Sequence, residues 1–241
     1  FGSKLDVYPF EPIAALLARK TGRPVKVMYS REEEFKSSPT RQAAVIHLRT
    51  GCTKDGTLTF RDADVLLDNG AYTSWGPTIP VVMMRTTSGH YRVPVVKFNA
   101  QAIYTNNPYA GSFRGYGNVQ ATFATAQQMD MLAERVAMDP LEFHLKNAQK
   151  SGETTPQKAY LRECALDECL RAAANACGYS EKQKRYALAR EQQGRYKKGI
   201  GLASSIHNAG GAKIHKSDGC GTILKVDDYA RVTVITGASE I

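Results

Sequence analysis

At 241 residues, with 42% apolar and 23% charged side chains, the chain is long enough for one large domain or two small ones and apolar enough to pack a core. No apolar run approaches the roughly 20 residues that cross a bilayer, and the N-terminus has neither the charged start nor the apolar stretch of a secretory signal, so a soluble chain with no membrane partner is expected. The net charge of +9 does not describe a nucleic-acid face: residues 181–198 hold seven basic and two acidic side chains and few aromatics for base stacking, which reads as a solvated helix and linker.

Residues 10–21 are predicted as a helix, with Ile13, Leu16, Leu17 and Lys20 on one side, Pro12 in the first turn and Gly22 placed for a left-handed cap. Pro24 blocks its continuation. Residues 25–29 alternate as a half-buried strand, and Ser30 followed by Glu33 has the capping-box spacing for a short helix over 31–35. Residues 43–49 and 58–67 are predicted as an antiparallel pair joined through 51–56, where Asp55-Gly56 is the hairpin signal. A short helix over 77–87 and a strand over 97–104 follow, then a loop over 105–117. From 118 to 138, Val119, Phe123, Ala126, Met129, Leu132 and Val136 recur by threes and fours and predict a long helix with these residues as its buried stripe. Asp139 caps and Pro140 opens a second helix through 148.

Residues 149–194 read as helical and polar with Pro156 as punctuation, and Cys169 is expected as a small buried thiol on a stripe with Leu166, Leu170, Ala173 and Cys177. Residues 199–205 and 222–236 return to strand character. Strands, then helices, then strands predict an α+β fold of mixed sheets and packed helices, with a boundary near 155–195. The five cysteines are odd in number and contain no Cys-x-x-Cys pair, so neither a disulfide framework nor an iron-sulfur or zinc site is written in them, and a reducing, cytoplasmic compartment is expected. The five histidines, His47, His90, His144, His207 and His215, show no metal spacing. The first residue is Phe1 and the last strand stops at Ile241, so both ends read as cut inside folded structure.

The loop over 105–117 combines Asn106, Asn107, Pro108, small residues and Arg114 immediately before the long helix. Glycines let a backbone approach a ligand closely, and a helix N-terminus offers N–H groups with partial positive charge. Arg114 adds a permanently charged fork suited to phosphate or a polar ring. An anion-binding loop and an ordinary strand-to-helix turn both fit these residues.

The string from Ser112 to Gln120 (Ser-Phe-Arg-Gly-Tyr-Gly-Asn-Val-Gln), then Met129-Asp130-Met131-Leu132-Ala133, then Asp139-Pro140 and Lys146-Asn147, resembles the signature of the molybdenum hydroxylases of the xanthine dehydrogenase and aldehyde oxidase family. Phe1-Gly2-Ser3-Lys4 resembles that family's Gly-Gly-Phe-Gly-x-Lys cofactor loop without its first glycines, and Gly237-Ala238-Ser239-Glu240-Ile241 resembles the strand end that leads into its Gly-Gln-Gly loop. The C-terminal part is most similar to the alpha subunit of 4-hydroxybenzoyl-CoA reductase and related aromatic or aldehyde hydroxylases.

The resemblance implies a first molybdopterin-binding domain over 1–155, a helical, basic connection over 156–195, and the start of a second such domain over 196–241. It implies a molybdenum-pterin cofactor, as molybdopterin or its cytosine dinucleotide, with FAD and [2Fe-2S] clusters in partner domains or subunits and an oligomeric parent. Phe1, Gly2, Ser112, Phe113 and Arg114 fall at cofactor-binding positions, and Tyr116 at an aromatic that flanks the substrate ring. Purine-oxidising members have a glutamate where this chain has Leu5, and an arginine nine residues before the aromatic of an aromatic-x-x-Pro turn, where Val82 precedes Tyr91. A site built from such groups rejects analogues that lack them, so their replacement implies an aromatic, heterocyclic or aldehyde substrate that is not a purine. The family's catalytic glutamate is expected beyond Ile241, so 1–241 alone is expected to be inactive. The competing reading is a cofactor-free binding or assembly module that keeps the fold.

Overall fold

The structure, a computed structural model, describes residues 7–190, 195–207 and 221–237. Local rules hold at the N-terminal end. Helix α1 (Phe10–Thr21) closes on Gly22 at φ 63°, whose N–H donates to the Ala18 carbonyl. Helix α2 (Arg31–Ser37) has the reciprocal capping box: the Glu33 N–H donates to Ser30 Oγ at 3.3 Å, and the Ser30 N–H to the Glu33 carboxylate at 2.7 Å. Neither helix contributes a buried residue. Residues 25–29, predicted as a strand, run without ladder partners. Alternation supplies a half-buried face, but a strand also needs a neighbour's N–H and C=O groups, and no described segment offers them here.

Strands β1 (Ala44–Cys52), β2 (Leu58–Gly70) and β3 (Val95–Tyr104) form a mixed sheet in that order. β1 runs antiparallel to β2 with Ala44 opposite Leu67, as predicted, and Gly56 takes φ 82° in the connecting turn. β3 lies parallel to β2 with Phe60 opposite Val95, which requires a long crossover. That crossover contains a 3-10 turn (Gly76–Thr78) and helix α3 (Ile79–Ser88), in place of the single helix expected over 77–87.

One face of the sheet is covered. Val65 and Leu67 pack with Ile79 and Met83 of α3 and with Ala121 of helix α4 (Asn118–Arg135), while Leu58, Met129, Ala133 and Phe143 fill the other end of the layer. Each large side chain here contributes roughly 2–3 kcal/mol by leaving water. Among the described residues nothing covers the opposite face, where Val45 stands opposite Leu66 and His47 opposite Asp64.

Helix α4 is where expected, but its buried stripe is Ala121, Thr125, Met129 and Ala133, and the expected Val119 and Phe123 are 49% and 70% exposed. Of the expected stripe Met129 is fully buried, while the small Ala121, Thr125 and Ala133 let α4 approach α3 and the sheet closely and leave Val119 and Phe123 outside the contact. Helix α5 (Pro140–Asn147) begins at the Asp139 cap, which accepts from the Glu142 N–H at 3.2 Å.

Residues 149–165, expected to be helical, form turns and a bridge between Thr154 and Tyr160, with Gly152 at φ 85° and Lys158 at φ 65°. Helix α6 (Leu166–Cys177) and helix α7 (Tyr179–Arg190) follow. On α6 the buried residues are Leu170 and Ala174, which pack with Leu145, Tyr179 and Leu202, whereas Cys169 is exposed and not the buried thiol expected. Leu166 and Leu170 of the expected stripe do face inward, but Ala174 completes it in place of Ala173, and the cysteines turn outward. Residues 199–205 are extended without a ladder; Ile200 and Leu202 pack onto α5 and α6 instead. Strands β4 (Thr222–Val226) and β5 (Val232–Thr236) make an antiparallel hairpin whose residues are all exposed.

Candidate cofactor site

The loop between β3 and α4 is tied down before it reaches the helix. Asp68, at the end of β2, accepts from Thr105 Oγ1 at 2.6 Å, from the Gly70 N–H at 2.9 Å and from Asn107 Nδ2. The bond from Thr105 leads the stabilisation of its charged form and lowers its pKa. Gly70, at φ 73°, lies so close to the Pro108 carbonyl that a Cβ would approach it to 2.3 Å. Further on, the Ala110 N–H donates to the Asn69 carbonyl at 3.0 Å and the Gly111 N–H to the Thr40 carbonyl at 3.2 Å, a parallel bridge to the segment before β1.

The loop then turns through three consecutive left-handed residues: Gly115 at φ 84°, Tyr116 at 47° and Gly117 at 95°. A tyrosine in this region is uncommon, and such residues persist where the surroundings hold them. The Tyr116 N–H donates to the Phe113 carbonyl and the Asn118 N–H to the Gly115 carbonyl, both at 2.8 Å. The Tyr116 hydroxyl bonds Thr78, and its ring meets Trp75 edge-on with centroids 6.4 Å apart. Gly117 lies against α3, where a Cβ would come within 3.0 Å of the Ile79 carbonyl oxygen.

This turn places Phe113 and Arg114 on the surface, Phe113 at 46% exposure, just before the N-terminus of α4, which has no side-chain cap and no acid in its first turn. An exposed aromatic and a guanidinium stand just before a helix N-terminus that lacks a side-chain cap, residue types that suit an anionic or oxo-rich group. Ser112 is half-buried beside them and hydrogen-bonded or otherwise engaged. Phe1, Gly2 and Leu5 lie outside the described residues. Val82 is buried in α3, in contrast to the exposed pair on the loop. Among the described residues no group of three or more His, Cys, Asp or Glu is placed to hold a metal ion directly.

Several supporting contacts carry no sequence signal. Thr78 and Trp75 hold Tyr116, yet neither belongs to a motif. Asn118, the first residue of α4, accepts from Thr86 and lies 2.5 Å from His207 Nδ1 through its amide nitrogen, and Thr122 donates to Ser205 at 3.2 Å. The segment 204–207 is therefore fastened to α4 by side chains. Tyr91 joins it as well, bonding both Ser204 at 2.7 Å and His144. Burial pushes the Tyr91 hydroxyl up to about 12, so it acts as a neutral hydrogen-bonding group.

Fold and loop together define an α+β domain with a glycine-rich turn leading into a long helix. Residues 1–148 match the family profile described as "Molybdopterin cofactor-binding domain". The whole chain is 35% identical to the xanthine dehydrogenase molybdenum-binding subunit of Escherichia coli O157:H7, covering 32% of that protein. Over 63% of its length it is 40% identical to the nicotinate dehydrogenase large molybdopterin subunit of Eubacterium barkeri, covering 36% of it. Among solved structures, the aldehyde oxidoreductase from Desulfovibrio gigas superposes with a TM-score of 0.74 at 25% identity, over 97% of this chain and 25% of that one. The chain belongs to the molybdopterin-binding domains of the molybdenum hydroxylase family. It spans about a third of the length of the curated relatives it matches.

Proposed function

We propose that residues 112–116 form one wall of the molybdenum-pterin site in a larger oxidoreductase that hydroxylates an aromatic, heterocyclic or aldehyde substrate other than a purine. The observation that carries this reading is the exposure of Phe113 and Arg114 on a left-handed turn at the uncapped N-terminus of α4. When bound, the molybdenum-pterin group supplies the two-electron redox chemistry, and iron-sulfur and flavin partners carry the electrons away. The chain's own part is to bind and orient. Ser112, Phe113 and Arg114 contact the cofactor through backbone N–H groups and the guanidinium, and the family resemblance assigns Phe1 and Gly2, outside the described residues, to the same cofactor. Tyr116, its hydroxyl held by Thr78 and its ring by Trp75, is a fixed aromatic surface beside the substrate ring.

The substrate class rests on Leu5 and Val82, which lack the hydrogen-bonding groups a purine site needs. In a branch resembling 4-hydroxybenzoyl-CoA reductase the same site removes a hydroxyl instead. Relatives named for nicotinate and aldehydes accompany those named for xanthine, so turnover decides. The full-length enzyme, assayed with hypoxanthine, nicotinate and aromatic aldehydes under one electron acceptor, is expected to oxidise one of the latter two classes with kcat/KM at least about 100-fold above hypoxanthine. Preference for hypoxanthine would contradict the assignment.

A further inference from the structure

We propose that Arg41 is a positioning residue for the cofactor loop, holding the Phe113 ring and the Arg114–Gly115 peptide; the inference rests on the reading of 112–114 as cofactor-contacting. The bridge between Thr40 and Ala110 brings the segment before β1 alongside the loop, and Arg41 is the next residue. Its guanidinium makes three contacts at once. Nη2 donates to the Arg114 carbonyl, Nη1 donates to Gln120 Oε1 at 3.2 Å, and Cζ lies 5.0 Å from the centre of the Phe113 ring. The Gln120 amide is itself oriented: its Nε2 donates to the Gln42 carbonyl at 3.2 Å, which leaves its oxygen facing Arg41.

These contacts converge on the two residues proposed to face the cofactor. Fixing the Arg114 carbonyl fixes the plane of the Arg114–Gly115 peptide, at the entry to the left-handed turn. Stacking on Phe113 restricts the same backbone from its side chain. Only a planar fork can stack on a ring and donate in two directions, so a lysine at position 41 keeps the charge and loses the geometry. The half-buried Arg41 thus differs from Arg114, which is exposed and free of this packing role.

The experiment compares wild type with Arg41→Met, Arg41→Lys and Gln120→Leu in the full-length, cofactor-loaded enzyme. Molybdenum and pterin content, the Mo(V) electron paramagnetic resonance signal, kcat, KM and Tm are measured. Expected are Tm values within a few degrees of wild type, an altered Mo(V) signal, and kcat lowered about 10- to 100-fold, the usual effect of a supporting residue, with KM within about threefold. Arg41→Lys is expected to behave as Arg41→Met. Should Arg41→Met misfold, Gln120→Leu, which removes one acceptor, carries the same readouts. Loaded variants with wild-type signal and kcat would overturn the positioning role alone, as would full rescue by lysine. A folded wild-type enzyme without molybdenum or pterin would overturn the reading on which it rests.

Discussion

Tyr116, held at φ 47° between two left-handed glycines, shows how little of a site's detail is a property of single residue types. Nothing about a tyrosine predicts that conformation; Thr78, Trp75 and the close packing of Gly117 on α3 impose it. Arg61 is similar. Its charge suggests the surface, but it is 1% exposed, donating to Thr50 at 3.0 Å and to the Thr87 carbonyl. Burial, with the charge of Arg61 adding to it, pushes the neighbouring His90 imidazole down from 6.5 to about 3. In the unfolded chain His90 takes up a proton near its ordinary value, so between these limits the unfolded state binds more protons. This contribution is therefore complete above the unfolded value and is lost on acidification, at up to about 1.4 kcal/mol per pH unit. Tm is expected to fall from about pH 7.5 to about pH 5.5, and less steeply in His90→Gln; equal slopes would remove His90 as the cause.

Elements were legible wherever their ends follow local chemistry. Gly22, the Ser30–Glu33 box, Asp55-Gly56 and the Asp139 cap all stand where spacing put them. What spacing could not show was which neighbours an element would meet. On α4 Met129 stands on the inner face as spacing put it, but Val119 and Phe123 give way to Ala121, Thr125 and Ala133, which let the helix approach α3 and the sheet, and 25–29 and 199–205 remained extended because alternation does not supply a pairing partner. Asn147 shows a link between elements that no period encodes. Its Oδ1 accepts from the Leu58 N–H, and its Nδ2 donates to the carbonyls of Gly56 and Phe143, all at 2.9 Å, pinning the β1–β2 turn to α5. Asn147→Leu orphans a buried N–H and a carbonyl, and should destabilise by about 2–4 kcal/mol with faster amide exchange at Leu58. Unchanged exchange there would show that the turn is held by other contacts.

At the scale of the whole molecule, the family was legible because its motifs are strings of adjacent residues, and the fold class followed from the order of strands and helices. The open face of the sheet and the exposed β4–β5 hairpin mark surfaces that the described residues do not cover, in a sequence that spans about a third of its relatives. In the proposed function the turn before α4 holds a molybdenum-pterin cofactor through Phe113 and Arg114. The most direct test is the molybdenum and pterin content of the folded full-length protein, wild type beside Arg114→Ala. Expected are about one of each per wild-type polypeptide and a clear fall in both in the variant at unchanged Tm. A wild-type protein that folds fully without either, or a variant that retains both at the wild-type level, would contradict it.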